Sequence, residues 1–233
     1  MKNMHQSEIV LYMLVLFHVG MGVLLFAVNP EYFREYYVIE DGILEWLGFD
    51  ALLFTGILSF YRLRLWRKRP LTFSVGVLLT GLFFTFGAGE EISYGQRLFK
   101  IPTPAFFQQY NKQGELNIHN LRFKSADPHK KEFSVNKVVF GLGLGLVAAL
   151  YLIGSPFLYR HSRRAKEFAD RWGIPIPEPF HALFFLILFL LTLLIHDPRK
   201  GEILEFGGSW ICFLLVLYPQ NEDIFADEPP LRS

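Results

Sequence analysis

The chain has 233 residues, 52% of them hydrophobic and 17% aromatic, with 25 Phe; so apolar a composition excludes an ordinary soluble domain and points to a membrane protein. Its 23 basic and 22 acidic residues nearly balance, so no positive surplus suggests a nucleic-acid partner. The single cysteine, Cys212, lies in an apolar run, which excludes an intrachain disulfide framework and a cysteine-based metal site.

Six segments reach or approach the roughly 20 apolar residues that cross a bilayer: 8–29, 43–63, 70–90, 135–158, 178–196 and 202–218. The first, Ile9 to Val28 at its core, is of spanning length without a clear cleavage motif and reads as a retained helix. Between the second and third lies "YRLRLWRKRP", and between the fourth and fifth "YRHSRRAKEFADRW". By the positive-inside rule both basic loops are cytoplasmic and both termini fall inside. The basic loop 62–69 then acts as a topology determinant that contacts anionic lipid.

The long connector 91–134 follows outside. "FGLGLGLVAA" in the fourth span follows no strand, so it is no nucleotide loop. Gly141, Gly145 and Ala149 at four-residue spacing predict close helix packing instead. The expected fold is an all-α polytopic bundle, a single transmembrane domain over 1–218 in a bacterial inner membrane. The acidic tail 219–233 is expected to be cytoplasmic and disordered.

Four polar clusters fall on the outer side of this topology. "EDGILEW" (40–46) places Glu45 one turn inside the second span, with Asp41 positioned to cap it. "GAGEEISYGQRLFK" (87–100) ends the third span in Glu90 and Glu91. Helix C-termini disfavour anions, so these two glutamates need partners or a purpose. A continued helix would align Glu90, Ser93 and Arg97 and allow a Glu90–Arg97 belt, with Gln96 satisfying backbone groups. "NKQGELNIHN" (111–120) puts Glu115 and His119 four apart, on one face if the segment is helical. The last span opens with Glu202 and Glu205 three apart.

Grouped together, Glu91, Glu115 and His119 form a candidate metal set, and mixed Glu and His ligands suit zinc, iron or manganese. Glu90, Glu91 and His119 are candidate catalytic groups. Glu45, Ser93, Gln96, Arg97, Asn117, Asn120 and Glu205 are candidate binding or positioning groups. A lone histidine, His18, sits near the middle of the first span, where it is either functional or bonded to a neighbouring helix. "LFKIPTPAFFQQYN" (98–111) reads as a Pro-interrupted stretch with a short amphipathic helix roofing the site.

"GEEISYGQR" followed by "NKQGELNIHN", with "EDGILEW" upstream, resembles a family of uncharacterised bacterial polytopic membrane proteins carrying EEIS-aromatic-GQR and NxQxExNxHN motifs. The resemblance covers about residues 37 to 122. It implies that these residues form a unit and brings no assigned reaction. The double glutamate also looks like the EExxxR of CAAX-type intramembrane proteases, but Gly95 stands at the arginine position and no HxxxN partner follows. The late HxxxH of alkaline-ceramidase-like hydrolases is absent as well.

Three functions remain in view. The first is a hydrolase or transferase, metal-assisted if a divalent metal binds, acting on a lipid-linked or amphipathic substrate. The second is a non-catalytic subunit that binds another membrane protein through its outer loop. The third is a small ion-coupled transporter, against which the apolar spans show few midplane charges.

Overall fold

In the computed structural model, residues 4–123 and 133–227 are described. Helices dominate, as long apolar runs free of turn residues require. Helix α1 is Gln6–Val28, α2 is Ile43–Arg62 with a 3-10 extension Leu63–Arg67, and α3 is Leu71–Glu91. The short α4, Ala105–Tyr110, starts directly after Pro104. Two-residue strands β1 (Arg122–Phe123) and β2 (Phe133–Ser134) pair antiparallel. A π-helical lead-in, Asn136–Gly143, opens α5, Leu144–His161. Helices α6 (Arg163–Arg171), α7 (Pro179–Thr192) and α8 (Lys200–Leu217) complete the chain.

Among the described residues, four helical stretches are long and apolar enough to cross a membrane: Gln6–Val28, Ile43–Arg67, Leu71–Glu91 and Asn136–His161. The expected fifth and sixth spans fall short for different reasons. Helix α7 has 14 residues, because the proline-rich "GIPIPEP" stays extended until Pro179 and the helix stops at Thr192; at 1.5 Å per residue it is about 21 Å long. Helix α8 carries Lys200, Glu202 and Glu205 in its first two turns.

Helix α2 lies between α3 and α8, and α8 packs in turn on α7 and α1. The main core gathers Tyr12, Val19, Leu188, Ile203, Ile211 and Leu214 from α1, α7 and α8. At Gly207 a Cβ would stand 1.8 Å from Leu188 Cδ1, so the Leu188 side chain of α7 packs directly onto the bare backbone of α8. Of the face expected to seat a neighbour in the fourth span, neither Gly141 nor Gly145 meets another helix among the described residues. Nothing lies within 4 Å of a Cβ at Gly145, and Gly141 meets only the Asn136 carbonyl of its own helix.

The connectors segregate to two ends. At one, Arg34 pairs with Asp197, Arg97 with Asp41, and Gln113 donates to Glu40, which knits the 30–42, 92–123 and 193–199 segments together. At the other, Ser7 meets Tyr218, Thr72 donates to the Arg171 carbonyl, and Arg64 pairs with Asp227. The clustered basic loops 62–69 and 160–171 belong to this second end. As far as it is described, the tail does not run free. Asn221 accepts from Ile176 N–H and donates to the Ile174 carbonyl, and Phe225 packs on Phe73, while residues 228–233 lie outside the described residues.

Candidate functional site

The stretch 87–100 is shaped by an abrupt helix end. After Glu91 the chain leaves α3 at Ile92, and Ser93, Tyr94 and Gly95 take φ of 48°, 54° and 72°. Glycine adopts this left-handed region freely, whereas each of the other two residues costs on the order of 1–3 kcal/mol there. Side-chain bonds hold them in place. Ser93 Oγ donates to Glu115 Oε2 at 2.7 Å, and Tyr94 OH donates to Glu90 Oε1 at 2.9 Å. The continued helix that would align Glu90, Ser93 and Arg97 therefore does not form.

Glu90 is 3% exposed and fully employed. Its Oε2 accepts the backbone N–H groups of Ile118 (2.8 Å) and His119 (2.9 Å). These two donors, with Tyr94, offset the adverse helix dipole at this C-terminus. The expected Glu90–Arg97 belt is replaced by a different pairing. Arg97 bonds Asp41 and Glu115 and lies 3.8 Å from Glu40, so it ties the 40–41 turn to the outer loop. Asp41, at φ 56°, does not cap α2; Gly42 is the N-cap, and Glu45 Oε2 accepts the Asp41 N–H at 2.6 Å.

Residues 111–121 form turns rather than a helix, so Glu115 and His119 share no helix face. An Asx turn at Asn111, whose Oδ1 accepts from Gln113 N and Glu115 N, and Gly114 at φ 71° break the helix. Buried amides cross-link the loop. Asn117 Nδ2 donates to Ser93 Oγ and Glu115 Oε2, and Asn117 Oδ1 accepts from Asn111 Nδ2 and Asn120 N. Gln96 Nε2 donates to Thr103 Oγ1 while its Oε1 accepts Leu116 N–H. Asn120 donates to Gln113. Asn111, absent from the sequence candidates, holds as many bonds as any of them. Helix α4 stands beside this loop, its Tyr110 ring in tilted contact with Phe106 at 5.1 Å and with Phe123 at 5.5 Å.

The remaining carboxylates behave differently. Glu45 on α2, Glu91 at the end of α3, and Glu202 and Glu205 on α8 all lie within reach of one another's charge. Among the described residues, Glu91, Glu202 and Glu205 have no side-chain hydrogen bond or ion pair, and Glu45 has only the Asp41 N–H. Glu45, Glu91 and Glu202 are half-buried and Glu205 is exposed, so the group opens to solvent. Three helices thus bring four carboxylates together with no lysine or arginine paired to them.

His119 is the cation-forming group beside them. It lies within charge reach of Glu205, Glu90, Glu115, Glu45 and Glu202. Its Nδ1 is 3.4 Å from Glu90 Oε2, and its Nε2 is 3.0 Å from Asn120 Nδ2. An amide nitrogen only donates, so in neutral His119 Nε2 accepts and Nδ1 carries the proton toward Glu90. Burial alone would lower the His119 pKa, but the Glu90 bond and the surrounding carboxylates outweigh it, and the pKa is raised from its ordinary value.

The candidate metal set does not assemble. Among the described residues no three His, Cys, Asp or Glu side chains converge as ligands. Glu115 is engaged by Ser93, Arg97 and Asn117, and its carboxylate is directed into the loop lattice rather than toward Glu91.

Polar groups elsewhere escaped the sequence reading. Glu8 and His181, on α1 and α7, are 1% and 0% exposed, with His181 Nε2 3.5 Å from Glu8 Oε1 and His181 Nδ1 accepting Glu178 N–H. Each sits within the first turn of its apolar helix, where it passes for an end residue. His18 bonds the Leu14 carbonyl of its own helix rather than a neighbouring one. Comparison with known protein families, with curated proteins and with solved structures finds no match.

Proposed function

We propose that this chain is a six-span protein of a bacterial inner membrane, with both termini cytoplasmic, and that its outer boundary carries an acid–base site. Its reaction would be hydrolysis or group transfer on a lipid-linked or amphipathic substrate. The observation that carries this reading is the group Glu45, Glu91, Glu202 and Glu205, open to solvent and unpaired, beside His119. Unneutralised carboxylates at a membrane boundary are costly to keep unless they take up protons, cations or substrate. In this reading His119 is the proton donor or acceptor, held by Glu90 as a positioning residue, and Glu91 is the general base. The alternation of connectors between a basic end and a polar end supports six crossings, with the short α7 reaching the boundary through the turn at 193–195. The site is framed on acid–base chemistry because no three-ligand metal set converges.

The test is incubation of the full chain in nanodiscs with a bacterial lipid extract, followed by mass spectrometry of the products. Wild-type protein should generate a new product, and Glu91→Gln and His119→Ala should abolish it while keeping abundance and melting temperature. Product formation by both variants would contradict the reading.

A second reading keeps the outer loop as a docking platform for another membrane protein. It is favoured by Leu98, Phe99 and Phe106, which are 66%, 71% and 49% exposed on a loop held rigid by its amide lattice. Stable co-purification of one membrane protein, lost in Phe99→Ser, would favour it.

A further inference from the structure

Arg62, the last residue of α2, is only 7% exposed, yet no carboxylate, carbonyl or hydroxyl among the described residues accepts a hydrogen bond from it. Its guanidinium stacks on Phe225, 3.8 Å from the ring centre. A cation–π contact of this kind offsets only part of what burying an unpaired charge costs. The five donors need an acceptor. Arg62 lines a cleft of about 340 Å³ together with Leu58, Tyr61, Arg64, Leu217 and Asp223. Glu222 also lines it and is engaged elsewhere. Arg64 at its rim donates to Asp227, and Arg69 and Lys68 donate to backbone carbonyls of 223–227, so the neighbouring cations are spoken for while Arg62 is not.

We propose that this cleft binds a phosphate group through Arg62, as the headgroup of a membrane phospholipid or as free phosphate. Three features of the site fit that chemistry. Guanidinium and phosphate match as a two-point fork. The cleft lies at the end of a membrane-spanning helix, among the basic residues of 62–69, at the level where headgroups lie. Its apolar lining, Leu58 and Tyr61 on α2 and Leu217 on α8, can receive the start of an acyl chain, and Asp223 suits a headgroup that also carries an ammonium. The proposal is independent of the acid–base site at the other end of the bundle.

The experiment is native mass spectrometry of the full chain in detergent, titrated with dioctanoyl phosphatidylethanolamine, with dioctanoylglycerol, and separately with inorganic phosphate. The phospholipid should bind at least about tenfold more tightly than the diacylglycerol, and Arg62→Gln should remove at least about tenfold of that affinity, the scale of one lost charge-assisted contact. Arg62→Lys should fall between, and Arg67→Gln, whose guanidinium stacks on Trp66 outside the cleft, should bind as wild type. Inorganic phosphate competing at equal concentration would assign the site to free phosphate; failure to compete assigns it to lipid. Equal affinity for phospholipid and diacylglycerol, which needs no variant, or unchanged phospholipid binding by a folded Arg62→Gln, overturns the proposal.

Discussion

Glu90 and Glu91 are neighbours in sequence at the end of one helix, and their surroundings differ as much as those of any two residues in the molecule. Glu90 accepts two backbone N–H groups and a tyrosine hydroxyl and holds the 117–120 turn onto α3. Glu91 turns toward α2 and α8 and meets only other carboxylates. The difference teaches that two kinds of polar region share this end of the helix bundle. One is a satisfied lattice that closes the outer loop, and the other is an unsatisfied group with free capacity for protons or ligand. Buried polar groups left without partners are costly, so chains keep them where they serve a purpose.

The largest expected effect of breaking the comparison lies within the lattice. Glu115→Ala removes the acceptor of the Ser93 hydroxyl and one of the acceptors of both Asn117 Nδ2 and Arg97, and should lower stability by about 3 kcal/mol, whereas Glu205→Gln, which removes no hydrogen bond, should change it by less than about 1 kcal/mol. Thermal melting in detergent distinguishes these outcomes. Next comes Asn117→Ala, which removes the acceptor of Asn111 Nδ2 and Asn120 N and should cost about 2 kcal/mol. Gly95→Ala places a Cβ at φ 72°, 2.9 Å from the Phe99 ring, and should cost about 1–2 kcal/mol, read from the same melting curves.

The smallest expected effect is one of pH. Because the His119 pKa is raised in the folded chain from 6.5, its contribution to stability is fully present below pH 6.5. It is lost as pH rises through the higher folded value. Melting temperature should therefore fall over that rise, and His119→Gln should flatten this part of the profile.

The helical architecture, with helices long and apolar enough to cross a membrane, was legible because hydropathy alone sets it, and "FSVGVLLTGLFF" permits little else. That Glu45, Glu91, His119 and Glu205 meet was legible too, because topology brings their segments to one end. The division of labour between Glu90 and Glu91 was not. It depends on Ser93 and Tyr94 entering left-handed conformations, which local propensity opposes and which only the distant Glu115 and the adjoining Glu90 stabilise. The same holds for the 111–121 turns, where helical spacing of Glu115 and His119 is overridden by the Asx turn at Asn111 and the positive φ of Gly114. Arg62 looked like one more basic loop residue, because its burial arises from Phe225 folding back from a tail whose composition suggests disorder.

The account stands most directly on the two adjacent glutamates, compared by the melting temperature and folded yield of Glu90→Ala and Glu91→Ala in the same detergent. Glu90→Ala, stripped of the acceptor for three donors, should lose several kcal/mol, on the order of 3 or more, and accumulate poorly, while Glu91→Ala should match or exceed wild type because it relieves repulsion among carboxylates. Equal losses in the two variants would contradict the division between a structural lattice and an unpaired carboxylate site.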